Sequence, residues 1–445
     1  MREGSLEAPT RHPIDWENPD FYDEAKLEAE LTRVFDICHG CRRCFNLCDS
    51  FPILFDLIDE SPSGEIDGLD PKTDYKPVVD ACTLCDMCFM TKCPYVPPHE
   101  WALDVPHLML RARAVEHKNG KIGLPDRELA KTDRNGKLAT FLSPLANWAT
   151  DSGNGLTRTV MEKTAGIDRE AWLPPFADTP LDRRADLDRI DVDAAAPAAG
   201  RKAALYATCF ANWNMPGPGE AAVKVLKANG VETRVVYPGC CGMPKLENGD
   251  LAAVAEQARS VAAAFAPLID EGFDVVAVTP SCALMLKFEW PLMLPSDPLV
   301  AKLAGATFDI TEYVVDIAKK EGLAPGMQPL GGDIAIHLPC HSRAQNMGQK
   351  GAEMLRLIPE AKVGVVERCS GHGGKWGMFK ENFATALKIG KPAGRAMLKT
   401  NAAFMVSECP LAGPHLKQVM EREGGEGVPE QVPHPIELLA KAYGL

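Results

Sequence analysis

Residues 231–242, VETRVVYPGCCG, contain the pattern on which the predicted fold depends. A short run rich in β-branched apolar side chains ends in two adjacent cysteines, which are flanked by Gly239 and Gly242. Such a run is typical of a strand buried between helices. The glycines allow the backbone to pass close to a bulky group. We therefore expect a buried strand that brings Cys240 and Cys241 to a binding site at its carboxyl end.

Apolar runs that end near a cysteine occur on both sides of this stretch and then a second time. RKAALYATCF and FDVVAVTPSC end near Cys209 and Cys282, and DIAIHLPC, AKVGVVERCSG and AAFMVSEC end near Cys340, Cys369 and Cys409. Corresponding cysteines of the two sets are 131, 129 and 127 residues apart (209 to 340, 240 to 369, 282 to 409). Three nearly equal separations indicate an internal duplication.

Segments with helical periodicity lie between these runs. In residues 251–270 the apolar positions recur three or four residues apart and form one stripe, which we assign to the core: Leu251, Val254, Ala258, Val261, Phe265 and Leu268. Alternating strands and helices predict α/β units with mostly parallel sheets, in which ligands bind at the carboxyl ends of the strands. We predict two tandem α/β repeats, at residues 201–330 and 331–445.

Eight further cysteines lie near the N-terminus in two similar runs: Cys38, Cys41, Cys44 and Cys48, then Cys82, Cys85, Cys88 and Cys93 before Pro94. This spacing is typical of a chain that binds two [4Fe–4S] clusters, with the fourth cysteine of each run bound to the other cluster. The predicted ligands are Cys38, Cys41, Cys44 and Cys93 for cluster 1 and Cys82, Cys85, Cys88 and Cys48 for cluster 2. We place this ferredoxin-like, α-rich domain at residues 30–118.

Zinc and disulfide bonds are the alternatives for these eight cysteines. Zinc sites need only Cys-x-x-Cys pairs, whereas each run here has three evenly spaced cysteines and a fourth. Disulfides are disfavoured because residues 1–20 contain no apolar segment of a signal peptide. We therefore expect a cytoplasmic protein with reduced thiols, and iron–sulfur clusters rather than zinc.

The composition limits the kinds of partner. The chain has 445 residues and a net charge of −13, so a nucleic-acid partner is not expected. No apolar stretch approaches the roughly 18 residues of a membrane span. No dinucleotide-binding fingerprint is found, so we expect no bound flavin or NAD, and a separate flavoprotein would supply any hydride chemistry.

Residues 119–200 contain no cysteine and are predicted to form a helical connector, with a charged and then Ala/Pro-rich linker at 181–200. An apolar face of this connector comprises Phe141, Leu142, Leu145 and Trp148. Packing on the α/β core is the more common fate of such a face, and we expect it here. Peripheral contact with a membrane surface near quinone is the alternative.

Four segments carry a family resemblance: YPGCCGMPKLENGDL, TPSCALMLKFEWP, HLPCHSRAQNMG and ERCSGHGGKWGM. They resemble the cysteine-rich CCG domains of the heterodisulfide reductase B subunit and its relatives. The layout of residues 30–445 resembles the C subunits of anaerobic glycerol-3-phosphate dehydrogenases and, less closely, the iron–sulfur subunit of glycolate oxidase. This resemblance implies two cubane clusters, a flavoprotein dehydrogenase or other redox protein as partner, and a quinone or second carrier.

The sequence departs from the full CCG motif, which ends in Cys-x-x-Cys. Met285 and Ala412 occupy the last position in repeats 1 and 2, and Ser370 replaces one of the doubled cysteines. Repeat 1 keeps four thiols, for which the resemblance implies one further [4Fe–4S]-type, non-cubane cluster: Cys209, Cys240, Cys241 and Cys282. Repeat 2 is degenerate because only Cys340, Cys369 and Cys409 remain, and a second CCG cluster is disfavoured there.

Three polar residues lie close in sequence to the cysteines of repeat 2. His341 and His372 could replace thiolates as iron ligands, although such histidines are more often structural. Arg343 could hold an anion if the site instead bound a small substrate. The leading prediction is an electron-transfer subunit. The alternatives are a catalytic reductase that acts on a disulfide or small electron acceptor through its CCG cluster, and a non-redox zinc or scaffold protein. No catalytic residue is assigned.

Overall fold

The computed structural model describes residues 9–424 and 427–445, which form two compact units. The first unit contains the described residues up to 130, with 244–255 and 292–295. The second contains the rest, so the residues of the predicted connector after 130 share a unit with both predicted repeats. The expectation about a signal peptide depends partly on residues 1–8, which lie outside the described residues.

The N-terminal part of the first unit is built from helices: α1 Glu24–Cys41, α2 Ser50–Asp59, α3 Tyr75–Asp80, α4 Val105–Lys118 and α5 Leu124–Leu129. The side chain of Asp104 accepts a hydrogen bond from the His107 N–H and so caps α4, and Pro106 follows in its first turn. Helices α1 and α2 bury one face each, including Phe35 and Phe55. The predicted α-rich character of this region agrees with these elements.

Seven strands form two sheets in the second unit: β1 Lys202–Tyr206, β2 Glu232–Val236, β3 Asp274–Ala277, β4 Thr307–Asp309, β5 Ile334–His337, β6 Val363–Val366 and β7 Phe404–Ser407. The strand orders are β2-β1-β3-β4 and β6-β5-β7, and all neighbouring strands are parallel. The predicted mixed α/β fold with parallel sheets is confirmed. Six strands coincide with the predicted runs, whereas β4 was not predicted.

The remaining helices surround and connect these strands. In chain order they are α6 Thr132–Phe141, α7 Ser143–Thr150, α8 Gly155–Ala165, α9 Ala185–Asp188, α10 Cys209–Trp213, α11 Gly217–Ala228, α12 Met243–Glu247, α13 Leu251–Asp270, α14 Pro280–Leu284, α15 Trp290–Met293, α16 Pro298–Gly305, α17 Ile310–Lys320, α18 Cys340–Ala344, α19 Lys350–Leu355, α20 Lys380–Lys399, α21 Ala412–Arg422 and α22 Pro435–Tyr443. Among the described helices, none has the length and apolar character needed to cross a bilayer.

The two sheets repeat one arrangement, which is the structural form of the predicted duplication. The first strand of each repeat lies in the centre, with the second on one side and the third on the other. Ala204 pairs with Arg234 and Val275, and Ile334 pairs with Val363 and Phe404. Because the strands are parallel, the loops after all three strands lie at one edge of each sheet.

A single hydrophobic cluster contains side chains from both sheets, among them Val276 and Val406. The predicted stripe of α13 is buried, apart from the half-buried Leu268. The expectation that these apolar runs form strands buried between helices was wrong for β2 and β6, where Arg234 and Gly364 are exposed. These are edge strands, which have a neighbour on one side only.

The expectation that the apolar face of the connector packs on the core was also wrong. Phe141, Leu142, Leu145 and Trp148 are all at least half exposed. For Leu145 and Trp148, the reason is that α7 turns its polar side inward, where the Asn147 side chain donates to the Phe176 carbonyl. The apolar side chains therefore face solvent.

Helix α22 begins at a buried, uncharged histidine. The Nδ1 atom of His434 accepts a hydrogen bond from the Ile436 N–H at 3.2 Å, and the Glu437 carboxylate accepts one from the His434 N–H. Burial lowers the pKa of His434 to about 3, and a hydrogen bond to the Glu408 backbone opposes this only in part. A proton on Nδ1 would also remove the acceptor that caps the helix.

Acidification is therefore expected to destabilise the second unit through His434. The unfolded chain takes up this proton near pH 6.5 and the folded chain only near pH 3. The contribution of neutral His434 to the free energy of unfolding is therefore complete above pH 6.5 and falls as the pH drops. Between pH 7 and pH 5 the loss should be about 2 kcal/mol. His434→Asn keeps a capping oxygen without a titrating group. Urea unfolding under anaerobic conditions should show a smaller pH dependence for this variant, and an equal dependence would contradict the assignment.

Candidate metal centres

Four cysteines of the first unit line one cavity: Cys38, Cys41, Cys44 and Cys93. Phe51, Phe55 and Leu103 are among the apolar side chains around it. Cys38 and Cys41 lie in the last turn of α1, which ends where Arg42 adopts a left-handed conformation with φ of 50°. The structure thus brings together the four cysteines that the spacing assigned to cluster 1.

The thiols of this first set lie close to one another, with Cys44 buried and the other three half-buried. Burial, and then the charge of Cys93, raises the pKa of Cys38 well above its ordinary value. The same two causes raise the pKa of Cys44 to about 12. Four thiolates in this cavity would repel one another strongly unless a cationic centre neutralised them. The donor set therefore fits a metal–sulfur cluster.

The cysteines of the second set also lie together. Burial raises the pKa of Cys88 well above its ordinary value, and the charges of Cys85, Cys82, Cys48 and Cys44 add to the effect, in that order. Cys48, from the first run, therefore lies within electrostatic range of the second run, as the spacing predicted. Cys44 is also within range, so the two sets adjoin.

The loop that carries the second set is held by one ion pair and by hydrogen bonds from an arginine to backbone carbonyls. Leu84 and Asp86 adopt positive φ angles of 48° and 63°, which turn the chain sharply between the cysteines. Asp86 is 4% exposed and accepts hydrogen bonds from Arg11 at 2.8 and 3.0 Å. Arg113 donates to the carbonyl groups of Val79 and Cys82. These contacts stabilise a loop conformation that has little regular secondary structure.

The third set lies at the carboxyl edge of the first sheet and contains Cys209, Cys240, Cys241 and Cys282. Cys209 begins α10 after β1, the doubled cysteines follow β2, and Cys282 lies on α14 after β3. The Sγ atom of Cys240 is 3.6 Å from that of Cys209, and the Sγ atom of Cys241 is 3.1 Å from that of Cys282. The four predicted thiols thus form two contacting pairs.

The backbone around the doubled cysteines requires glycine. Gly239 and Gly242 have φ angles of 151° and 83°, in the region that favours glycine. The Gly242 N–H donates to the Sγ atom of Cys240 at 3.4 Å. The hydrogen bond between Cys240 and Cys209 lowers the pKa of Cys240 and raises that of Cys209. As in the first set, four thiolates here need a cationic centre, and the donor chemistry fits an iron–sulfur cluster.

Three polar residues around this third set were not predicted from the sequence. The Tyr237 hydroxyl donates to the Asp133 carboxylate, which also accepts from the Cys240 N–H at 3.3 Å. The Tyr206 hydroxyl donates to the Gly239 carbonyl at 2.7 Å. Both tyrosines occur in a Tyr-x-x-Cys pattern that could have revealed them. Asp133 precedes Cys240 by more than a hundred residues, and no sequence pattern links it to the cysteines.

The cysteines of repeat 2 follow the corresponding strands of the second sheet but differ in exposure. Cys340 begins α18 and is half-buried, as is Cys409, whereas Cys369 is exposed. Burial, and to a lesser extent the charge of Cys282, raises the pKa of Cys409 to about 11. The cysteine sites of the two repeats therefore adjoin within the second unit.

The predicted polar neighbours occupy different positions around repeat 2. The ring of His372 lies 5.7 Å from that of His415, and burial lowers the pKa of His372 to about 3. His341 is on α18 beside Cys340. The Nε atom of Arg343 lies 3.8 Å from a carboxylate oxygen of Glu367, and its charge partly offsets the raised pKa of Cys369. Among the described residues, no three His, Cys, Asp or Glu side chains are arranged around a single-ion position.

Comparison with known proteins adds independent information. The family of cysteine-rich CCG domains matches residues 203–287 and 334–417, once for each sheet. The chain is 26% identical over 340 residues to the C subunit of anaerobic glycerol-3-phosphate dehydrogenase from Escherichia coli, covering 75% of this chain and 81% of that protein. It is 27% identical over 250 residues to the B subunit of fumarate reductase (CoM/CoB) from Methanothermobacter marburgensis, covering 55% and 47%. It is 28% identical over 188 residues to lactate utilization protein A of a Geobacillus species, covering 39% and 73%.

Proposed function

Since the chain carries a pair of CCG cysteine-rich domains, as the four cysteine segments predicted, we propose that it is an iron–sulfur electron-transfer subunit. It relays electrons between a partner flavoprotein dehydrogenase, or another redox protein, and a quinone or second carrier. The relatives support this role because their names describe subunits of a dehydrogenase and a reductase. We place the protein in the cytoplasm, peripheral at the inner face of the membrane where its carrier is a quinone.

The observation that carries this proposal is the meeting of four thiols from three strand ends in repeat 1. We assign two [4Fe–4S] clusters to the N-terminal cysteine sets and one further [4Fe–4S]-type cluster to this third set. Such clusters supply reversible one-electron transfer when bound, and their potentials depend on burial and on hydrogen bonds to sulfur. Repeat 2, with one exposed cysteine among three, is not assigned a cluster.

The chain's own residues would tune and protect these centres. Phe51, Phe55 and Leu103 limit the access of water to the first cysteine set. Trp290 is fully buried and donates its indole N–H to the Cys241 carbonyl at 3.2 Å, which fixes the doubled cysteines. The Gly242 N–H bond to the Cys240 sulfur stabilises negative charge there. The hydrogen bond to sulfur would favour the more negative, reduced state of a bound cluster, whereas the apolar side chains would protect a cluster from loss of its ligands to solvent.

Iron content and partner dependence test this function directly. Protein purified without oxygen should be brown and contain about twelve irons, four for each of three clusters. It should pass electrons from a co-purifying flavoprotein to a quinone analogue, and should not turn over a substrate alone. A colourless, zinc-loaded and stable protein would contradict the proposal. Turnover by the isolated chain would instead indicate a reductase.

A further inference from the structure

An exposed apolar surface on the second unit is not explained by electron transfer. Fourteen large apolar side chains of the described residues are exposed, and half of them fall between residues 138 and 160. We call them the 138–160 surface: Leu138, Phe141, Leu142, Leu145, Trp148, Leu156 and Val160. Phe141 is 85% exposed and Leu156 76%. Concentrated exposure of this kind marks an interaction site on a folded protein.

Helix α7 is held with its polar side inward. The Asn147 side chain donates to the Phe176 carbonyl at 2.9 Å and accepts from the Phe176 N–H at 2.7 Å. Ser143 is 3% exposed and donates to the Asp178 carboxylate. Leu145 and Trp148 occupy the opposite side and face solvent.

Helix α8 likewise turns its charged side toward the interior of the protein. Arg158 is 1% exposed and donates to the carbonyls of Asp168 at 2.8 Å and Ala171 at 2.6 Å. Glu162 is also buried and pairs with Arg169 and Lys380. A surface helix normally buries its apolar side, so burial of the charged side is a specific feature of this connector. The apolar residues are thus held outward by a network of hydrogen bonds.

The charges around the surface indicate what covers it. Exposed residues between 131 and 163 include four cations, Lys131, Arg134, Lys137 and Lys163, and a single carboxylate, Asp151. The exposed charges of this segment are thus mainly cationic, on a chain whose net charge is −13, and we call these four side chains the cationic rim. A second copy of the chain, bound through the same surface, would bring two cationic rims together, and their like charges would repel each other. An anionic lipid surface would attract the rim and accept the aromatic and leucine side chains.

We propose that the 138–160 surface docks this chain on an anionic lipid bilayer. Phe141, Trp148 and Leu156 enter the region between headgroups and acyl chains, while the cationic rim contacts the headgroups. This docking needs no membrane-spanning helix and no redox chemistry. It assigns a binding role to residues that the electron-transfer proposal leaves unused.

Helix α6 connects this surface to the third cysteine set. Asp133, in its first turn, accepts the hydrogen bond from the Cys240 N–H, and Phe141 is its last residue. Gly136 lies against the ring of Trp213 on α10, so closely that a Cβ atom would be 2.4 Å from Cγ. Ten helical residues span about 15 Å. A carrier dissolved in the bilayer would then lie about one helix length from the CCG centre, and this consequence alone rests on the proposed function.

Sedimentation with lipid vesicles tests the proposal on the intact, cluster-loaded protein. We expect it to bind vesicles of phosphatidylcholine with phosphatidylglycerol and to bind phosphatidylcholine alone much more weakly. Phe141→Ser combined with Trp148→Ser should lower the partition coefficient at least tenfold, since both side chains lose their lipid contact. Leu124→Ser is the matched control, because Leu124 is 63% exposed but lies outside the surface.

A second pair of changes tests the cationic rim without altering the apolar residues. Lys137→Glu with Lys163→Glu should abolish the preference for phosphatidylglycerol. The proposal is overturned if the wild-type protein does not sediment with vesicles, or if Leu124→Ser reduces binding as much as the double serine variant. It is also overturned if the wild type is a dimer that the serine variant dissociates. Iron content and electron transfer to a soluble dye report the redox function separately, so either proposal can fail alone.

Discussion

Replacement of Cys240 by serine is expected to remove the CCG cluster and leave the two N-terminal clusters in place. Cys240 contacts Cys209 and accepts the Gly242 N–H bond, so serine would take away a central thiolate of the third set. The protein should lose about four of about twelve irons and the corresponding signal in the electron paramagnetic resonance spectrum of the reduced sample. Electron delivery to the second carrier should fall by orders of magnitude. The N-terminal signals should persist, because their thiols lie in the first unit.

The matched control for this change is Cys369→Ser, in the corresponding position of repeat 2. Cys369 is exposed, whereas Cys240 is only 4% exposed. Since no cluster is assigned to repeat 2, this variant should retain its iron and its electron transfer. Survival of every signal in Cys240→Ser would show that the cluster is wrongly placed. Loss of iron in Cys369→Ser would show that repeat 2 binds a cluster.

The contrast between the two repeats shows that the α/β fold does not depend on the cysteine site. The first three strands of each repeat have the same order, yet only the first sheet brings two contacting pairs of thiols to its carboxyl edge. In repeat 2, Ser370 replaces the second of the doubled cysteines. The fold does not need these thiols, because its core is formed by apolar side chains such as Ile336 and Val406. Loss of ligands can therefore proceed without loss of the domain.

Local patterns predicted the strands and most of the cysteine neighbourhoods. An apolar run that ends in cysteine specifies both a strand and a position at its carboxyl end, so β1 and β5 were predicted with their cysteines. Strand β4, Thr307–Asp309, has three residues and no cysteine, and it carries no such pattern. Asp133 was missed because its contact with Cys240 depends on tertiary packing between distant segments.

The orientation of α7 and α8 could not be predicted for a related reason. Periodicity shows that a helix has an apolar face and a polar face, but it does not specify which one the protein covers. Here the outcome depends on free carbonyl groups of residues 168–171, which Arg158 satisfies. Those carbonyls are available only because the chain turns there, and sequence periodicity does not describe that turn. For α7 the outcome depends in the same way on the backbone of Phe176, which Asn147 contacts, and the expectation of core packing for Trp148 failed there.

Arg158→Met should consequently be among the most destabilising single changes in the connector. The guanidinium group donates to the carbonyls of Thr150, Asp168, Arg169 and Ala171, and all of these bonds would be lost. Methionine fills much of the volume but leaves the buried carbonyl acceptors without donors. We expect a loss of about 3 kcal/mol or more in the free energy of unfolding. Urea unfolding of the cluster-loaded protein, followed by tryptophan fluorescence, measures it.

Arg169→Met is the control, because Arg169 pairs with the same Glu162 while its side chain is 57% exposed. An exposed ion pair contributes little, so this variant should lose much less stability than Arg158→Met. Equal losses would show that the Glu162 ion pair, rather than the carbonyl contacts, holds α8. The two variants also test whether the contacts that orient α8 are needed for vesicle binding. If Arg158 orients α8, its replacement should weaken vesicle binding although no lipid-facing side chain has changed, whereas Arg169→Met should leave that binding intact.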